Sequence, residues 1–513
     1  MNLSKSRYTA YCQCPKNMWL GVHHPEYAPP VDSMTQARFD QGVELGNLAK
    51  QLFPGTIDVT THNPDGSLDI AAMIEKTRKL MDDGTECIAE AAFFHDGCYC
   101  AVDLLRRDGD GWALYEVKSS TTKDEDGKKA KLNKYLPDIA YQTWLLRQCG
   151  IKVTGINLVC LNSDYVFHNK LDLRQLFAII DMREAIEKEL AKVPLQVPKA
   201  MQVLAMEQEP ERDLSKNCNK PYRCSFWKYC TRHLPDHSVF DVYGGNTNSK
   251  GPDRFFFDEK LKHYQAGRVS YDQLVDQPLG RIQRLQVEQK PYIDPDGIRR
   301  FLDKLSYPLY FLDFETMQDL IPRYEGTHPS MQITFQYSLH VVKDPDTICD
   351  KQGYGYLAPS DGSDPRRKLA EDLCNHIPRG VCTLAYNMSF ERKRIEELAE
   401  IYPDLHDHLM DIHDHIVDLI DPFRDGYYYL PAMGGSFSIK KVLPALFPDD
   451  KGLNYENLEG SVKNGGEAMT IFPQIKDMSP TEAAAARKSL LEYCNLDTWA
   501  MVKVWEKLKE KSL

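Results

Sequence analysis

The chain has 513 residues, 42% hydrophobic and 10% aromatic, enough apolar side chain for buried cores and too much for a disordered or collagen-like polymer. At ~100–200 residues per domain, that length predicts two to four domains. With 63 Lys and Arg against 75 Asp and Glu, the net charge is −12, which excludes a chain-wide cationic surface.

A nucleic-acid partner therefore requires local basic patches beside metal-binding carboxylates. The opening segment, MNLSKSRYTAYCQCPKNMWLG, lacks an apolar run of signal-peptide length. No window supplies the ~20 apolar residues of a membrane span, so the expectation is a soluble, cytoplasmic protein that does not engage membranes. Fourteen cysteines in such a chain point to metal or redox use of some of them rather than to a disulfide framework.

In chain order, a helical lead-in is expected at residues 34–53, followed by a three-strand meander over residues 89–118. AEAAFF closes at His95-Asp96-Gly97, CYCAVDLLRR at Asp108-Gly109-Asp110-Gly111, and WALYEVKSS follows; Asp-Gly is a strong hairpin signal. A helix from Asp138 to Gln148 should end at Gly150, a C-cap residue, and KVTGINLVCLN reads as a buried strand. The order β-β-β-α-β predicts an α/β core.

Val242 to Arg254, rich in Gly, Asn, Ser and Pro, reads as a linker. RFFFDEKLKHYQAGRVSYDQLVDQ reads as a helix, a turn at Gly267 and a second helix, a spacer with a faint likeness to a helix-hairpin-helix element. A second alternation then begins: the strands LYFLDF and ITFQYSLHVV, a helix near 366–377, the strand VCTLAY, a helix capped by Ser389, and a long helix from Thr481 to Lys511. The predicted organisation is α/β throughout, with domains at 1–240 and 301–513 joined by a helical connector at 241–300.

Three residue sets carry chemistry. In the first, Asp103 lies on the second meander strand and Glu116-Val117-Lys118 on the third. Alternation gives Glu116 and Lys118 one face, and strands ~4.8 Å apart let Asp103 share a cation with Glu116. Hard divalent cations such as magnesium favour such oxygen ligands. Acid-x-acid spacing alone says little, since about 11 such pairs arise by chance at this composition. Asp103, Glu116-x-Lys118 and Gln142 together resemble the PD-(D/E)XK nuclease superfamily, in the RecB-like branch that includes CRISPR-associated exonucleases. The resemblance implies a restriction-endonuclease-like fold in which Asp103 and Glu116 hold the metal, Lys118 supports the nucleophile and Gln142 belongs to the helix motif. Gly46 stands where the branch often has histidine, and Leu146 where it has tyrosine. Glu90 is a further acidic candidate.

In the second set, CNKPYRCSFWKYC spaces Cys218, Cys224 and Cys230 at equal intervals of six, with a fourth thiol from Cys14 or Cys12. Thiolates suit iron–sulfur clusters or zinc, and zinc fingers favour tighter intervals. The pattern resembles the iron–sulfur clasp of the same branch, with Cys14 the better match. That implies a structural 4Fe-4S cluster on Cys14, Cys218, Cys224 and Cys230, with zinc as the alternative.

In the third, Asp313-Phe-Glu315 ends an apolar strand, Asn387-Met-Ser-Phe390-Glu391 opens a helix, and Tyr493 and Asp497 share one face of the last helix. Clustered carboxylates from distant segments need cations, and two divalent ions ~3.5–4 Å apart can clamp a phosphodiester. The set resembles DnaQ-like, ribonuclease-H-fold exonucleases of the DEDD type with tyrosine in the last motif. That implies magnesium or manganese on Asp313, Glu315, Glu391 and Asp497, with Tyr493 orienting the water. The family ends its second motif in aspartate where this chain has Glu391, and Asp418 is a substitute carboxylate. SFSIKKVLPALFP and YCNLDTWAMV resemble an uncharacterised bacterial family in which this domain follows a RecB-like nuclease.

The expected function is a metal-dependent nuclease acting on nucleic acid, DNA rather than RNA, with 3′ trimming by the second domain. The alternative is a nucleic-acid-binding scaffold with inactive sites. Six lysines between Lys118 and Lys134, and Arg392-Lys393-Arg394, are candidate phosphate contacts.

Overall fold

The computed structural model describes residues 2–124, 127–246 and 248–513. The chain is mixed α/β and divides into two compact units, Met1–His233 with Asp319–Met331, and Leu234–Gln318 with Gln332–Leu513. Residues 241–300 thus pack as part of the second unit. Among the described residues, no helix is long and apolar enough to cross a membrane.

The first unit holds β1 (Leu3–Ser4), β2 (Ile57–Asp58), β3 (Cys87–His95), β4 (Cys98–Asp108), β5 (Gly111–Thr121), β6 (Val153–Leu161) and β7 (Phe177–Asp181). They form one sheet in the order β2-β3-β4-β5-β6-β7, with β1 added to β4. The β3–β4 hairpin turns on Asp96 (φ +45°) and Gly97 (φ +77°), a two-residue loop with both residues left-handed, as Asp-Gly favours. β5 and β6 are parallel, so their connection must cross over, and the helix Leu136–Gln148 makes that crossing. It buries Ile139, Ala140, Tyr141, Leu145 and Leu146 against Val102, Leu114 and Leu158 of the sheet.

β4 changes partner along its length. Its start pairs with β1 and its end with β5, whose ladder stops at Leu104–Tyr115. The next pair along that register is Asp103 and Glu116. The strands therefore part where the two carboxylates stand.

The second unit contains β8 (Tyr292–Ile293), β9 (Leu309–Gln318), β10 (Gln332–Val342), β11 (Tyr354–Leu357), β12 (Cys382–Ala385), β13 (Ile416–Asp418) and β14 (Tyr428–Tyr429). The main sheet runs β11-β10-β9-β12-β13, and β8 pairs with β14. Alternation on β9 sends Leu312 and Phe314 into a core with Leu369, Leu373, Ile395 and Leu398. The helix Pro480–Ser512 packs across β9 and β10, where Gln336 donates to the Leu490 carbonyl at 2.9 Å and Ser338 to that of Cys494 at 2.5 Å. Its start is fixed by a capping box between Ser479 and Glu482 with Pro480 in the first turn.

Several local expectations differ from the structure. Ser389 is the first residue of the helix Ser389–Ile401 rather than its cap, and no side chain caps that end. After the helix Phe257–Gln265 and Gly267 (φ +75°), the expected second helix is only a 3-10 turn, Tyr271–Leu274, and the next helix, Arg281–Val287, starts separately at the N-cap Gly280. Val242, at the head of the expected linker, is buried with Val239, Phe255 and Tyr271. Thr247 of that stretch lies outside the described residues, as do Glu125 and Asp126 of the lysine-rich segment.

Candidate metal and active centres

In the first unit, Glu116 is fully buried and gathers three cationic or donor groups. Lys118 Nζ lies 2.5 Å from Glu116 Oε1, and Gln142 Nε2 donates to Oε2 at 2.7 Å. Lys118 also donates to Asp138 Oδ2 at 2.8 Å, and Gln142 to Asp138 Oδ1 at 2.9 Å. The predicted Glu116, Lys118 and Gln142 thus meet, with Asp138 as the hub on the crossing helix. Asp103 Oδ2 accepts the Val117 N–H at 2.7 Å, taking the place of the missing ladder bond where β4 and β5 part.

Sequence reading missed Lys5. It follows β1 directly, and its Nζ is 3.2 Å from Asp103 Oδ1 and from both Glu116 oxygens. Pairing of β1 with β4, a contact between residues almost 100 apart, delivers it. Burial pushes the Glu116 carboxyl up, but Lys5 and then Lys118 outweigh burial and hold it below the ordinary range. Asp103 is raised, by burial and by Glu116. Asp138 is pushed up to about 6 by burial and by the charge of Glu116. Glu90 lies across from Asp103, at a pair the β3–β4 ladder skips, and has φ +55°. Burial and then Asp103 push it up to about 7, while Lys50 stands 3.8 Å away. A glutamate in left-handed backbone within a strand is a strained placement of the kind that gathers at functional sites.

Cys14, Cys218, Cys224 and Cys230 line one small cavity together with Leu20, Phe226 and Trp227. Cys14 is the extended residue between the helices Lys5–Gln13 and Pro15–His23. Cys12 is elsewhere, its Sγ 3.8 Å from Gln196 Oε1. Burial raises the Cys224 thiol to about 11, and the three other cysteines of the cavity add to that shift. Such mutual opposition among thiols is relieved by a bound cation.

In the second unit, one ligand atom each from Asp313, Glu315 and Cys494 lie within 4.8 Å of one another. Cys494 was not a sequence-level candidate; it reads as one more buried cysteine, and only the packing of the last helix on β9 brings it there. Asp497 Oδ1 accepts from the Tyr455 hydroxyl at 2.6 Å. Lys440 Nζ donates to Tyr493 Oη at 3.3 Å. Tyr455 and Lys440 were also missed, for neither segment carries a recognisable acidic motif.

Burial, then Asp497, Glu315 and Glu391, push Asp313 well above the carboxylate range. Glu315 is raised in the same way by burial and Asp497. Asp497 reaches about 6 through burial, opposed by the Tyr455 hydrogen bond and the charge of Lys440. Burial lifts Glu391 to about 8, with Asp418 and Asp497 adding to it. Its Oε2 is buried and has no hydrogen-bond partner. Glu391 and Asp497 stand outside the group whose ligand atoms lie within 4.8 Å of one another, but their charge reaches Asp313, and with the unpartnered Glu391 oxygen the oxygen-rich set is compatible with a divalent cation.

Asp418 is committed elsewhere. Its Oδ1 accepts the Asn387 N–H at 2.8 Å and the Ile420 N–H at 3.3 Å, with Arg424 at 3.5 Å from Oδ2. The basic triplet beside Glu391 is also used internally. Arg392 donates to the carbonyls of His413 and Ile416 at 3.1 Å, Lys393 pairs with Glu396, and Arg394 with Glu397.

No curated protein matches the chain. Residues 310–438 match a family model described as a domain of unknown function, DUF2779. The match spans Asp313, Glu315 and Glu391 and stops short of Lys440, Tyr455, Tyr493 and Asp497.

Proposed function

We propose that this protein is a metal-dependent nuclease with two hydrolytic centres, a RecB-like PD-(D/E)XK centre in the first unit and a DnaQ-like, ribonuclease-H-like exonuclease centre in the second. The observation that carries the reading is the close set of Asp313 and Glu315 with Cys494, one ligand atom each within 4.8 Å, near enough to Asp497 and Glu391 to feel their charge, with one Glu391 oxygen left without a donor. A bound cation would relieve the repulsion that pushes Asp313 and Glu315 up. The Asp103, Glu116, Lys118 and Gln142 constellation supports the first centre, since acid, acid and lysine adjoin where two strands part.

Asp313, Glu315, Glu391 and Asp497 would hold magnesium or manganese in the second centre, and Asp103 and Glu116 in the first. When bound, such an ion supplies charge to a phosphoryl oxygen and acidifies a water. Tyr493 accepts from Lys440 and bonds to Asp497, which would place its hydroxyl to orient a nucleophilic water there. In the first centre Lys118, fixed between Glu116 and Asp138, holds a cationic donor at the reacting phosphate. The four cysteines line one cavity and would hold a 4Fe-4S cluster, with zinc the alternative, clasping residue 14 to residues 218–230.

The test is cleavage of end-labelled DNA and RNA with magnesium or manganese by Asp103→Ala, Asp313→Ala and the double variant. Each single change should remove a separable activity, and full activity in the double variant would end the proposal.

A further inference from the structure

Beside the first centre, and starting from Lys118, lies a run of rings and ammonium groups whose further members the nuclease chemistry does not use. Lys118 Nζ is 5.6 Å from the Tyr135 ring centroid, and the Tyr135 hydroxyl shares a hydrogen bond with Ser120 Oγ at 2.5 Å. Lys134 Nζ sits 4.9 Å from the Tyr135 centroid and 5.2 Å from that of Tyr222. Tyr222 is 56% exposed. Gln13 Nε2 donates to the Tyr222 carbonyl at 2.9 Å and to that of Asn217 at 3.1 Å. Tyr222 therefore stands in the loop between Cys218 and Cys224, tied to the residue that precedes Cys14.

We infer that Tyr135, Lys134 and Tyr222 form a binding track for a single-stranded polynucleotide, running from the Glu116–Lys118 centre to the cysteine loop. The inference rests on the nuclease reading of that centre and names its substrate class. Aromatic rings offer faces on which unpaired bases stack, and ammonium groups between them meet the phosphates; this is how sequence-tolerant single-strand binding is built. A duplex hides its base faces and cannot use the rings. In a chain of net charge −12, lysines held in this row against aromatic faces supply a local cationic path. The cysteine cavity gains a purpose too, since a clasped loop presents Tyr222 in one orientation and lowers the ordering cost of binding.

The experiment is fluorescence anisotropy with the full chain in EDTA, so that no cleavage occurs. The probes are a fluorescein-labelled oligo(dT), an oligo(U) of equal length and a blunt DNA duplex. Tyr222→Ala should weaken single-strand binding roughly 5- to 100-fold, the range of one lost base stack. Tyr222→Trp should stay within about threefold of the parent because it keeps a stacking face. Lys134→Gln should weaken binding and lower the salt slope by about 0.7, one phosphate on a single strand. Duplex binding should move less than single-strand binding in every variant. The oligo(dT) and oligo(U) arms tell DNA from RNA. Unchanged binding in Tyr222→Ala and Lys134→Gln overturns the track. Equal loss in Tyr222→Ala and Tyr222→Trp also overturns it, because the ring would then serve only to pack the loop. Strand binding with these variant effects, but no metal-dependent cleavage by the parent chain, would remove the nuclease reading and leave the track standing.

Discussion

Lys440 Nζ donates to the Tyr493 hydroxyl at 3.3 Å and lies 5.1 Å from the ring centroids of both Tyr493 and Tyr455. One lysine, carried by the helix Ile439–Leu446, thus pins two tyrosines over an acidic centre. Lys440→Ala should lower kcat of the Asp313-dependent activity by about 10- to 100-fold, with a smaller change in KM. Lys440→Arg should recover part of the loss. Steady-state kinetics with an end-labelled single strand would check both.

Tyr455 donates its hydroxyl to Asp497 at 2.6 Å, inside a buried site. Tyr455→Phe leaves that carboxylate oxygen unsatisfied and should cost about 1–3 kcal/mol in metal-free protein. Manganese should offset much of the loss. Urea unfolding with and without manganese is the measurement; equal losses in the two conditions would contradict the role.

The pH dependence of the second centre has a definite sign. Glu391 at about 8 and Asp497 at about 6 lie above their ordinary values of 4.5 and 3.8. A raised folded-state value means the folded chain binds more protons than the unfolded one. Stability is then fully present below about pH 4 and is lost as pH rises through 6 and 8. Glu391→Gln removes its share of that loss. In EDTA, its melting temperature should exceed that of the parent increasingly from pH 5 to pH 9, and the gap should close when manganese is added.

Lys5, the first helical residue after the two-residue β1, bridges Asp103 and Glu116. Lys5→Ala leaves two buried carboxylates facing each other and should cost on the order of 3 kcal/mol without metal. Divalent ions should rescue this variant more than the parent, because the lysine no longer competes for the same oxygens. Isothermal titration with manganese, paired with urea unfolding, would show a stability loss together with tighter binding.

Replacing Cys14, Cys218, Cys224 or Cys230 with serine should remove the absorption near 400 nm expected of anaerobically purified protein and reduce bound iron. Cys12→Ser should leave both unchanged, since that thiol lies against Gln196 rather than in the cavity. Zinc in place of iron, with no such band, would assign the site to zinc.

Local chemistry was legible in the chain itself. Asp-Gly turns, the alternation that pairs Glu116 with Lys118, the equal cysteine intervals and the four-residue step from Tyr493 to Asp497 are short-range features, written within a dozen residues of each other. The alternation on β9 similarly separates Asp313 and Glu315 from Leu312 and Phe314. Periodicity overreached where packing decides: the second helix of the connector is a single 3-10 turn, and Ser389 lies inside the helix it was expected to cap. Lys5, Tyr455, Lys440 and Cys494 reach their centres only through strand pairing or helix docking between residues roughly 40 to 180 apart. No pattern near them in sequence encodes that proximity. The sequence determined which carboxylates and thiols could bind cations; folding alone decided which lysines and hydroxyls stand against them, because those contacts are long-range and arise from burial rather than from neighbouring residues.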